Sequence, residues 1–355
     1  MNLENIREKI DKIDDKIVKL LSSRMELALL TTKFKGGILD KQREKEILVN
    51  AKKASAGLLK PQFIERIFFD ILEESKNLQS QSFKLAAFQG EHGAYSEIAI
   101  QMIDRNWVPL PCVDFTEVFE GIKAGYFDVG VVPIENSIVG TVDPVNDLLI
   151  HSDLKIIAEI YVPIHHCLLA LPESDYREIR VVYSHPQVLE QCKHFILRNK
   201  LEARPYYDSA GAAMMLSETK DKSASVIASK LCSSIYGLEA IKENVQDELS
   251  NYTRFVALSR EKAEATNGNK CSIYFIISHK AGSLFSILKI FKDAQINLTR
   301  IESRHVHGDP KKYAFMLDFQ GSIQDERVKQ SLEKVKSEAL HYKFLGCYKE
   351  AKVEL

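Results

Sequence analysis

A hydroxyl and a guanidinium stand side by side near residue 253, and their residue types suggest a chemistry. Thr253 and Arg254 open a short apolar run that ends at Leu258, and an acidic, turn-prone segment, residues 246–250, precedes them. A hydroxyl can donate a proton, and a guanidinium can hold an anion beside it. The pair is suited to expelling hydroxide from a substrate that carries a carboxylate. A Thr-Arg pair at a strand start is, however, also common in segments without catalytic function.

A second set of charged residues lies near the N-terminus, in a segment with helical periodicity. Arg24 and Lys35 are eleven residues apart, which on a straight helix places them within roughly 20° on one face and about 16 Å apart. Two long side chains at that spacing can close on one small dianion. Arg7 would lie about 42 Å from Lys35 on the same helix, so it would reach that pocket only from an antiparallel partner chain. The alternative is a solvated coiled-coil face.

Several predicted strands end in small polar residues, which is where open α/β sheets bind ligands. These residues are Glu135, Asn136, Ser137, Ser184, His185 and Gln187. Gln187 and Gln191 would share one helix face. Ser209 is predicted to cap a helix from Ala210, whose free N–H groups suit a carboxylate. Polar strand ends occur in every fold, so alone they predict only a ligand cleft.

The composition is that of an ordinary globular protein, and it excludes several classes. Among 355 residues, 45% are apolar and 27% charged, and the formal net charge of −1 provides no basic surface for nucleic acid. The six cysteines lie far apart without a C-x-x-C pair, which indicates reduced thiols in a cytoplasm. The histidines lack further ligands at metal spacing, so we expect no metal and no cofactor. We expect no signal peptide and no membrane span.

The N-terminal segment, residues 1–80, is predicted to be helical. Isoleucines recur from Ile6 to Ile17 with helical spacing, and the pattern continues to Gly36, which predicts a first helix longer than about 30 residues. Further helices fit residues 41–54 and a segment that starts near Pro61. The apolar stripe of so long a helix needs a second copy to cover it, so we expect a dimer.

Beyond a linker at residues 79–82, strands and helices alternate, as in an α/β domain. A second linker near residues 260–270 separates this domain from a shorter segment with the order strand, helix, strand, strand, helix, strand. The sequence therefore predicts three consecutive domains at residues 1–80, 84–260 and 270–350.

Residues 1–80 resemble the all-helical chorismate mutase domain. The resemblance is carried by Ile6-Arg7-Glu8-Lys9-Ile10, Ser23-Arg24-Met25-Glu26-Leu27, Lys35, Asp40, Arg43-Glu44, Glu74-Ser75 and Gln79. It implies that three arginines (Arg7, Arg24, Arg43) hold two carboxylates, that Lys35 and Gln79 act at the ether oxygen, and that Glu44 binds the hydroxyl. Asp40 and Ser75 complete the implied chorismate site. Because the link from Lys35 to Arg43 is short, Lys33 and Lys41 are alternatives to Lys35.

Such a rearrangement needs no acid, base or nucleophile. It needs a compact substrate conformer and positive charge where the breaking C–O bond becomes negative. A pocket lined by cations and an amide can supply both.

Residues 84–260 resemble the prephenate dehydratase domain, whose fold is two α/β lobes around a cleft, similar to periplasmic solute-binding proteins. The matching motifs are Ala87-Phe88-Gln89-Gly90, Gly93-Ala94-Tyr95-Ser96, Val132-Pro133-Ile134-Glu135-Asn136-Ser137, Ser184-His185-Pro186-Gln187, Ser209-Ala210-Gly211-Ala212-Ala213 and Thr253-Arg254-Phe255. The resemblance implies that Thr253 protonates the departing ring hydroxyl while loss of CO2 supplies the electrons. The implied prephenate site comprises Glu135, Asn136, Ser137, Ser184, His185, Gln187, Gln191, Ser209, Thr253, Arg254 and Phe255.

Residues 270–350 resemble an ACT domain, a ferredoxin-like α+β sensor of small molecules. Gly282-Ser283-Leu284 and Ile301-Glu302-Ser303-Arg304 match the phenylalanine-binding segments of the dehydratase family. The implied effector site comprises Gly282, Ser283, Leu284, Glu302, Ser303 and Arg304. A glycine turn before a helix offers N–H groups to a carboxylate, and Glu302 could meet an amino group.

The leading hypothesis is a bifunctional enzyme that converts chorismate to prephenate and prephenate to phenylpyruvate, with feedback inhibition by L-phenylalanine. We expect a cytoplasmic homodimer or higher homo-oligomer without nucleic-acid partners. Two alternatives remain open: arogenate as the dehydratase substrate, and a non-catalytic two-lobed amino-acid sensor.

Overall fold

The computed structural model describes residues 2–34, 37–54, 57–260, 268–306 and 309–353. The chain divides into two compact units. One comprises Met1–Leu85 with Gly125–Phe127, and the other comprises Ala86–Ala124 with Asp128–Leu355.

The first unit contains the three predicted helices, α1 (Leu3–Thr31), α2 (Lys41–Ala54) and α3 (Pro61–Ser80). The side chain of Asn2 caps α1 by accepting from the Asn5 N–H at 2.9 Å. Pro61 occupies the first turn of α3, where its missing N–H costs no hydrogen bond. Several isoleucines and leucines of α1 are exposed, with Ile10 and Leu20 at 50% and 72%.

The predicted length of α1 was wrong, because the helix has 29 residues and ends at Thr31. The hydroxyls of Thr31 and Thr32 donate to the Ala28 and Leu29 carbonyls at 2.7 Å each. The backbone N–H groups of Thr32 and Lys33 bond three residues back instead of four. Hydroxyls that compete for the last carbonyls favour such an ending. The straight-helix geometry predicted for Arg24 and Lys35 therefore does not apply.

The second unit begins with a mixed sheet. Along the chain come β1 (Lys84–Gln89), α4 (Tyr95–Ile103), β2 (Trp107–Cys112), α5 (Phe115–Ala124), β3 (Val129–Asn136), β4 (Gly140–Thr141), α6 (Asp143–His151) and β5 (Lys155–Pro163). The strand order is β2-β1-β3-β11-β5, where β11 is contributed by residues much later in the chain. Its core is apolar and includes Phe88 and Phe255.

A second sheet follows, with β6 (Cys167–Ala170), β7 (Val181–Ser184), α7 (Pro186–Gln191), α8 (Lys193–Arg198), β8 (Glu202–Pro205), α9 (Ser209–Thr219), β9 (Ala224–Ala228), α10 (Leu231–Tyr236) and β10 (Glu239–Lys242). The strands are ordered β10-β6-β9-β7-β8. The chain then returns to the first sheet as β11 (Tyr252–Ser259), antiparallel to both β3 and β5. The two predicted α/β lobes thus correspond to two sheets, and β11 completes the first.

The prediction that Ser209 caps α9 was wrong. Ser209 is the first helical residue, and Asp208 before it is the cap, accepting from the Gly211 N–H at 2.8 Å. A carboxylate of the protein itself therefore already lies at the positive end of this helix.

The C-terminal segment forms a four-stranded antiparallel sheet with two helices. Its elements are β12 (Lys270–Ser278), α11 (Ser283–Asp293), β13 (Leu298–Val306), β14 (Asp309–Gln320), α12 (Glu326–Glu338) and β15 (His341–Tyr348). The strand order is β13-β14-β12-β15. This confirms the predicted succession of strands and helices in the segment.

Candidate active sites

The helical unit encloses a cavity of about 340 Å³ between its three helices. Six predicted residues line it together: Arg24, Asp40, Arg43, Glu44, Ser75 and Gln79. They come from the middle of α1, the start of α2 and the end of α3. Two anion-binding guanidiniums and two carboxylates therefore face one small space.

Hydrogen bonds fix two of these side chains across the helices. Arg24 Nη1 donates to Ser75 Oγ at 2.6 Å, and burial lowers the pKa of Arg24 from its usual value. Gln79 Nε2 donates to the Ala28 carbonyl at 2.6 Å and to Thr31 Oγ1 at 3.0 Å. Both amide hydrogens of Gln79 are occupied in this arrangement, so donating to a ligand would require Gln79 to exchange one of these partners.

One predicted member of the set, Arg7, is not brought to this cavity. Arg7 is exposed near the start of α1, seventeen residues before Arg24, or about 26 Å along the helix. Lys35 lies outside the described residues. Of the lysines that the structure describes, the cavity includes Lys76, which sequence reasoning missed. Its ammonium lies 3.5 Å from Glu44 Oε2.

In the second unit, Thr253 and Asn136 meet at the ends of adjacent strands. Asn136 Nδ2 donates to Thr253 Oγ1 at 2.9 Å and to Asn251 Oδ1 at 2.8 Å. Asn136 Oδ1 in turn accepts from the N–H groups of Ile138 and Val139, each at 3.0 Å. Because Thr253 accepts in this contact, its own hydroxyl proton is left to point elsewhere.

A cleft of about 410 Å³ opens next to this pair, which does not itself line it but is joined to it through Asn251. Predicted residues Gln187 and Gln191 line it, as do Asn251 and Gln246, which sequence reasoning missed. Ser137 lies at the same strand ends, and its Oγ accepts from the Tyr252 N–H at 3.0 Å.

Gln191 is oriented by a buried histidine. Its Oε1 lies 3.0 Å from His166 Nε2, and His166 Nδ1 lies 3.2 Å from the Tyr95 hydroxyl. Burial lowers the pKa of His166 to about 4, so the ring is neutral near pH 7. A neutral ring protonated at Nε2 can donate to Gln191 Oε1. The Tyr95 hydroxyl donates its own proton to the His165 carbonyl at 2.6 Å.

Three other predicted residues, Ser184, His185 and Ser209, meet near the end of β7, where they form hydrogen bonds with other groups of the protein. The fully buried Ser184 donates to the Ile227 carbonyl at 2.5 Å and lies 2.9 Å from Ser209 Oγ. His185 Nδ1 accepts from the Gln187 N–H at 3.3 Å. Ser184 and Ser209 therefore connect the end of β7 to β9 and to the start of α9.

Arg254, Glu135 and Phe255 are not brought to the cleft. Side chains alternate across a strand, so the neighbours of Thr253 and Asn136 face away from those two residues. Arg254 is 1% exposed and ion-paired with Glu159 and Asp318. Phe255 lies in the apolar core of the first lobe. Neither Arg254 nor Phe255 lines the cleft in this structure.

The predicted effector segments lie in the C-terminal sheet. Gly282 caps α11 with φ +87°, a conformation that favours glycine, and Ser283 Oγ lies 3.3 Å from Ser278 Oγ. Glu302, Ser303 and Arg304 belong to β13, whereas Leu284 packs against the core of this sheet. Arg304 forms ion pairs with Asp143 and Asp147 of α6, so its guanidinium already has partners.

Comparisons with known proteins identify two families along the chain. The family profile described as Chorismate mutase type II matches residues 6–80, and that described as Prephenate dehydratase matches residues 86–263. The bifunctional chorismate mutase/prephenate dehydratase of Escherichia coli K12 is 31% identical over 97% of this chain and 95% of its own length. The chain belongs to the bifunctional chorismate mutase/prephenate dehydratase family. It carries both activities.

Two further relatives cover the dehydratase part of this bifunctional enzyme. Arogenate dehydratase/prephenate dehydratase 2 of Arabidopsis thaliana is 36% identical over 74% of this chain and 72% of its own. The crystal structure of prephenate dehydratase in complex with L-Phe from Arthrobacter aurescens is 29% identical, with a TM-score of 0.69 over 75% of this chain and 90% of that one. This likeness supports the two-lobed α/β fold.

Among the described residues, no group of three or more histidine, cysteine, aspartate or glutamate side chains is arranged to hold a metal ion. No helix in the described ranges is long and apolar enough to cross a membrane.

Proposed function

We propose that the chain has three domains, at residues 1–80, 84–260 and 270–350. The two activities have separate sites, one in the first domain and one in the second. The mutase site is the cavity of the helical unit, and the dehydratase site is the cleft beside Thr253. The observation that carries the assignment is the convergence of Arg24, Arg43 and Gln79 on one cavity, far along the chain from the Asn136–Thr253 pair.

In the mutase site, Arg24 and Arg43 would hold the chorismate carboxylates and press the substrate into its compact conformer. Glu44 would accept from the ring hydroxyl. Gln79, assisted by a lysine, would stabilise the charge that develops on the ether oxygen as the C–O bond breaks. Lys35 is the lysine that the family resemblance implies, and the position of Lys76 in the cavity makes it a second candidate.

In the dehydratase site, Thr253 would donate its hydroxyl proton to the ring hydroxyl, which leaves as water. The bond between the ring and its carboxylate breaks at the same time, CO2 leaves, and the electron pair completes the aromatic ring. Solvent then restores the proton to Thr253. Asn136 supports this role because it donates to Thr253 Oγ1, which leaves the hydroxyl proton for the substrate. Gln187 and Gln191 would orient the substrate.

Replacing Arg24 with Gln tests the separation of the sites. Loss of a preorganised cation at a carboxylate should lower mutase kcat/KM by roughly 100-fold or more. Dehydration of added prephenate should continue at the parental rate. Arg66→Gln, an exposed change on α3, is the control and should leave both rates unchanged. Loss of dehydration in folded Arg24→Gln protein would contradict separate sites.

We propose that the C-terminal sheet is an ACT domain that binds L-phenylalanine and inhibits the dehydratase. The L-Phe complex of the Arthrobacter aurescens protein supports this effector. Gly282, Ser283, Leu284, Glu302 and Ser303 are the candidate contacts. Arg304 is instead ion-paired with two aspartates of α6, Asp143 and Asp147.

We also propose a homodimer in a cytoplasmic location. The exposed apolar residues of α1 would be covered by a second α1, which would bring Arg7 of one chain to the mutase cavity of the other. Six free cysteines are usual for a reducing compartment. A sedimentation coefficient of a single chain would contradict the dimer.

Arogenate is the second candidate substrate for the dehydratase, because the name of the Arabidopsis relative includes both substrates. The mutase in the same chain produces prephenate, which favours prephenate. A comparison of kcat/KM for the two compounds decides between them. The sensor hypothesis is not supported, since the matching families are enzymes.

A further inference from the structure

Asn136 and Thr253, which lie beside the proposed dehydratase cleft, each have a neighbour that faces the C-terminal sheet. Thr253 pairs with Asn136 across the β11–β3 ladder, and Arg254 pairs with Glu135. Register shifts between Arg254 and Phe255, which marks an irregular point in the ladder beside the catalytic threonine. A displacement of the Arg254–Glu135 pair is therefore transmitted to the adjacent Thr253–Asn136 pair through one peptide unit on each strand.

Arg254 is held by three strands at once. Its Nε donates to Glu159 Oε2 on β5 at 2.8 Å, its Nη1 to Asp318 Oδ2 on β14 at 2.5 Å, and its Nη2 to the Tyr348 hydroxyl on β15 at 3.0 Å. One of these strands belongs to the catalytic lobe and two to the C-terminal sheet. A planar guanidinium fork suits such a fixed set of acceptors.

The partners of Arg254 are themselves satisfied by the C-terminal sheet. Lys270 Nζ donates to both Glu159 oxygens, at 2.9 and 3.0 Å, and Ser272 Oγ donates to Asp318 Oδ1 at 2.6 Å. The four charged groups sum to zero, and each of their residues is 6% exposed or less. Removal of one member leaves a buried charge without its counter-ion, so the network resists partial rearrangement.

A second contact reaches the other ladder partner. Glu135 Oε2 lies 3.7 Å from Arg300 Nε on β13 and 3.9 Å from Arg254 Nη1. The two terminal nitrogens of Arg300 are buried and have no hydrogen-bond partner in the described structure. β13 also carries Glu302 and Ser303 of the proposed effector segment. The strand that would sense the effector therefore contacts the residue next to Asn136.

We propose that Arg254 is a positioning residue, through which the C-terminal sheet holds Thr253 and Asn136 in their reactive arrangement and transmits the effector signal. Phenylalanine would inhibit by favouring a placement of β13 and β14 in which this network holds β11 differently. The inference rests on the proposed roles of Thr253 and the ACT domain.

The test compares Asp318→Asn and Arg254→Lys in the full chain, with prephenate as substrate. Asp318 lies outside the cleft, and Arg254→Lys keeps the charge but loses the fork. Both variants should lower dehydratase kcat by roughly 10- to 100-fold, since small displacements of a reacting group carry such penalties. The KM for prephenate should stay within about twofold, and the phenylalanine concentration for half-inhibition should shift about tenfold or more. Mutase turnover reports whether the helical domain remains folded.

Asp293→Asn is the matched control, because it removes a carboxylate from an exposed ion pair with Lys289 on α11 of the same domain. It should leave kcat and inhibition unchanged. A lowered unfolding midpoint with parental kcat and parental inhibition would show that the network is only structural, and it would overturn the proposal. A large rise in KM for Arg254→Lys alone would assign Arg254 to the substrate instead.

Failure of the inference is distinguishable from failure of the proposed function. If Thr253→Ala is inactive in dehydration while Asp318→Asn and Arg254→Lys behave as the parent, only the coupling role is lost. If Thr253→Ala dehydrates prephenate normally, the proposed site itself is wrong.

Discussion

Asn136 and Thr253 are joined by a hydrogen bond whose direction decides what the hydroxyl can do. The Asn136 amide is fixed by five contacts, three donated and two accepted. Its Nδ2 must therefore face Thr253, and the threonine accepts. In the proposed reaction, this contact leaves the Thr253 hydroxyl proton for the substrate, although Asn136 is not itself acidic.

The burial of His166 predicts how the free energy of unfolding depends on pH. Burial lowers its pKa in the folded protein to about 4, whereas an unfolded histidine titrates near 6.5. The unfolded chain thus binds the proton more readily, so stability is full above about pH 6.5 and falls as pH decreases toward 4. Between pH 7 and pH 5 this group should cost about 2 kcal/mol of unfolding free energy.

Chemical denaturation of the parent and of His166→Gln at both pH values checks this. The variant should lose less stability on acidification than the parent, by about that amount. His151→Gln, a change at an exposed histidine, should follow the parent. An equal acid sensitivity in the parent and His166→Gln would show that His166 does not carry the effect.

Among the elements, a glycine lets the C-terminal sheet pack closely against the catalytic lobe. A Cβ on Gly346 of β15 would lie 2.2 Å from the Ile156 carbonyl oxygen of β5. Both are strand backbone, so neither can move aside. The missing side chain is what allows β15 to lie against β5 and Tyr348 to reach Arg254.

Gly346→Ala should therefore loosen the junction between the two sheets. Overpacking of this kind costs about 1–3 kcal/mol, and we expect the C-terminal sheet to unfold at lower denaturant than in the parent. Gly37→Ala has open space around the added methyl group and serves as control. Unfolding would be monitored by Tyr348 fluorescence or by hydrogen exchange in β15. If Gly346→Ala unfolds at the same denaturant concentration as the parent, the close approach is contradicted.

Local sequence signals predicted the elements better than they predicted which way side chains face. The helices at Lys41 and Pro61 and the C-terminal order of strands followed from periodicity and turn residues. The end of α1 did not, because the Thr31 and Thr32 hydroxyls override an apolar pattern that continues past them. Asp208 displaced Ser209 as a cap for a similar reason, since either residue type fits that position.

At the scale of the whole molecule, motifs identified the family but not the role of each motif residue. Thr253 and Arg254 are adjacent in one motif, yet strand alternation sends them to different surfaces. The acceptors of Arg254 lie at residues 159 and 318, too far away in sequence for any local pattern to pair them. His166 and Gln246 were missed because a lone buried histidine or glutamine has no motif of its own.

We propose that this chain performs its two reactions at two separate sites and that Thr253 serves only the dehydration. A product time course on chorismate tests it most directly, with the parent, Thr253→Ala and Thr253→Ser compared. The parent should yield phenylpyruvate, Thr253→Ala should consume chorismate at the parental rate and accumulate prephenate, and Thr253→Ser should retain dehydration. Phenylpyruvate formation by Thr253→Ala at the parental rate, or loss of chorismate consumption in folded Thr253→Ala protein, would contradict the account.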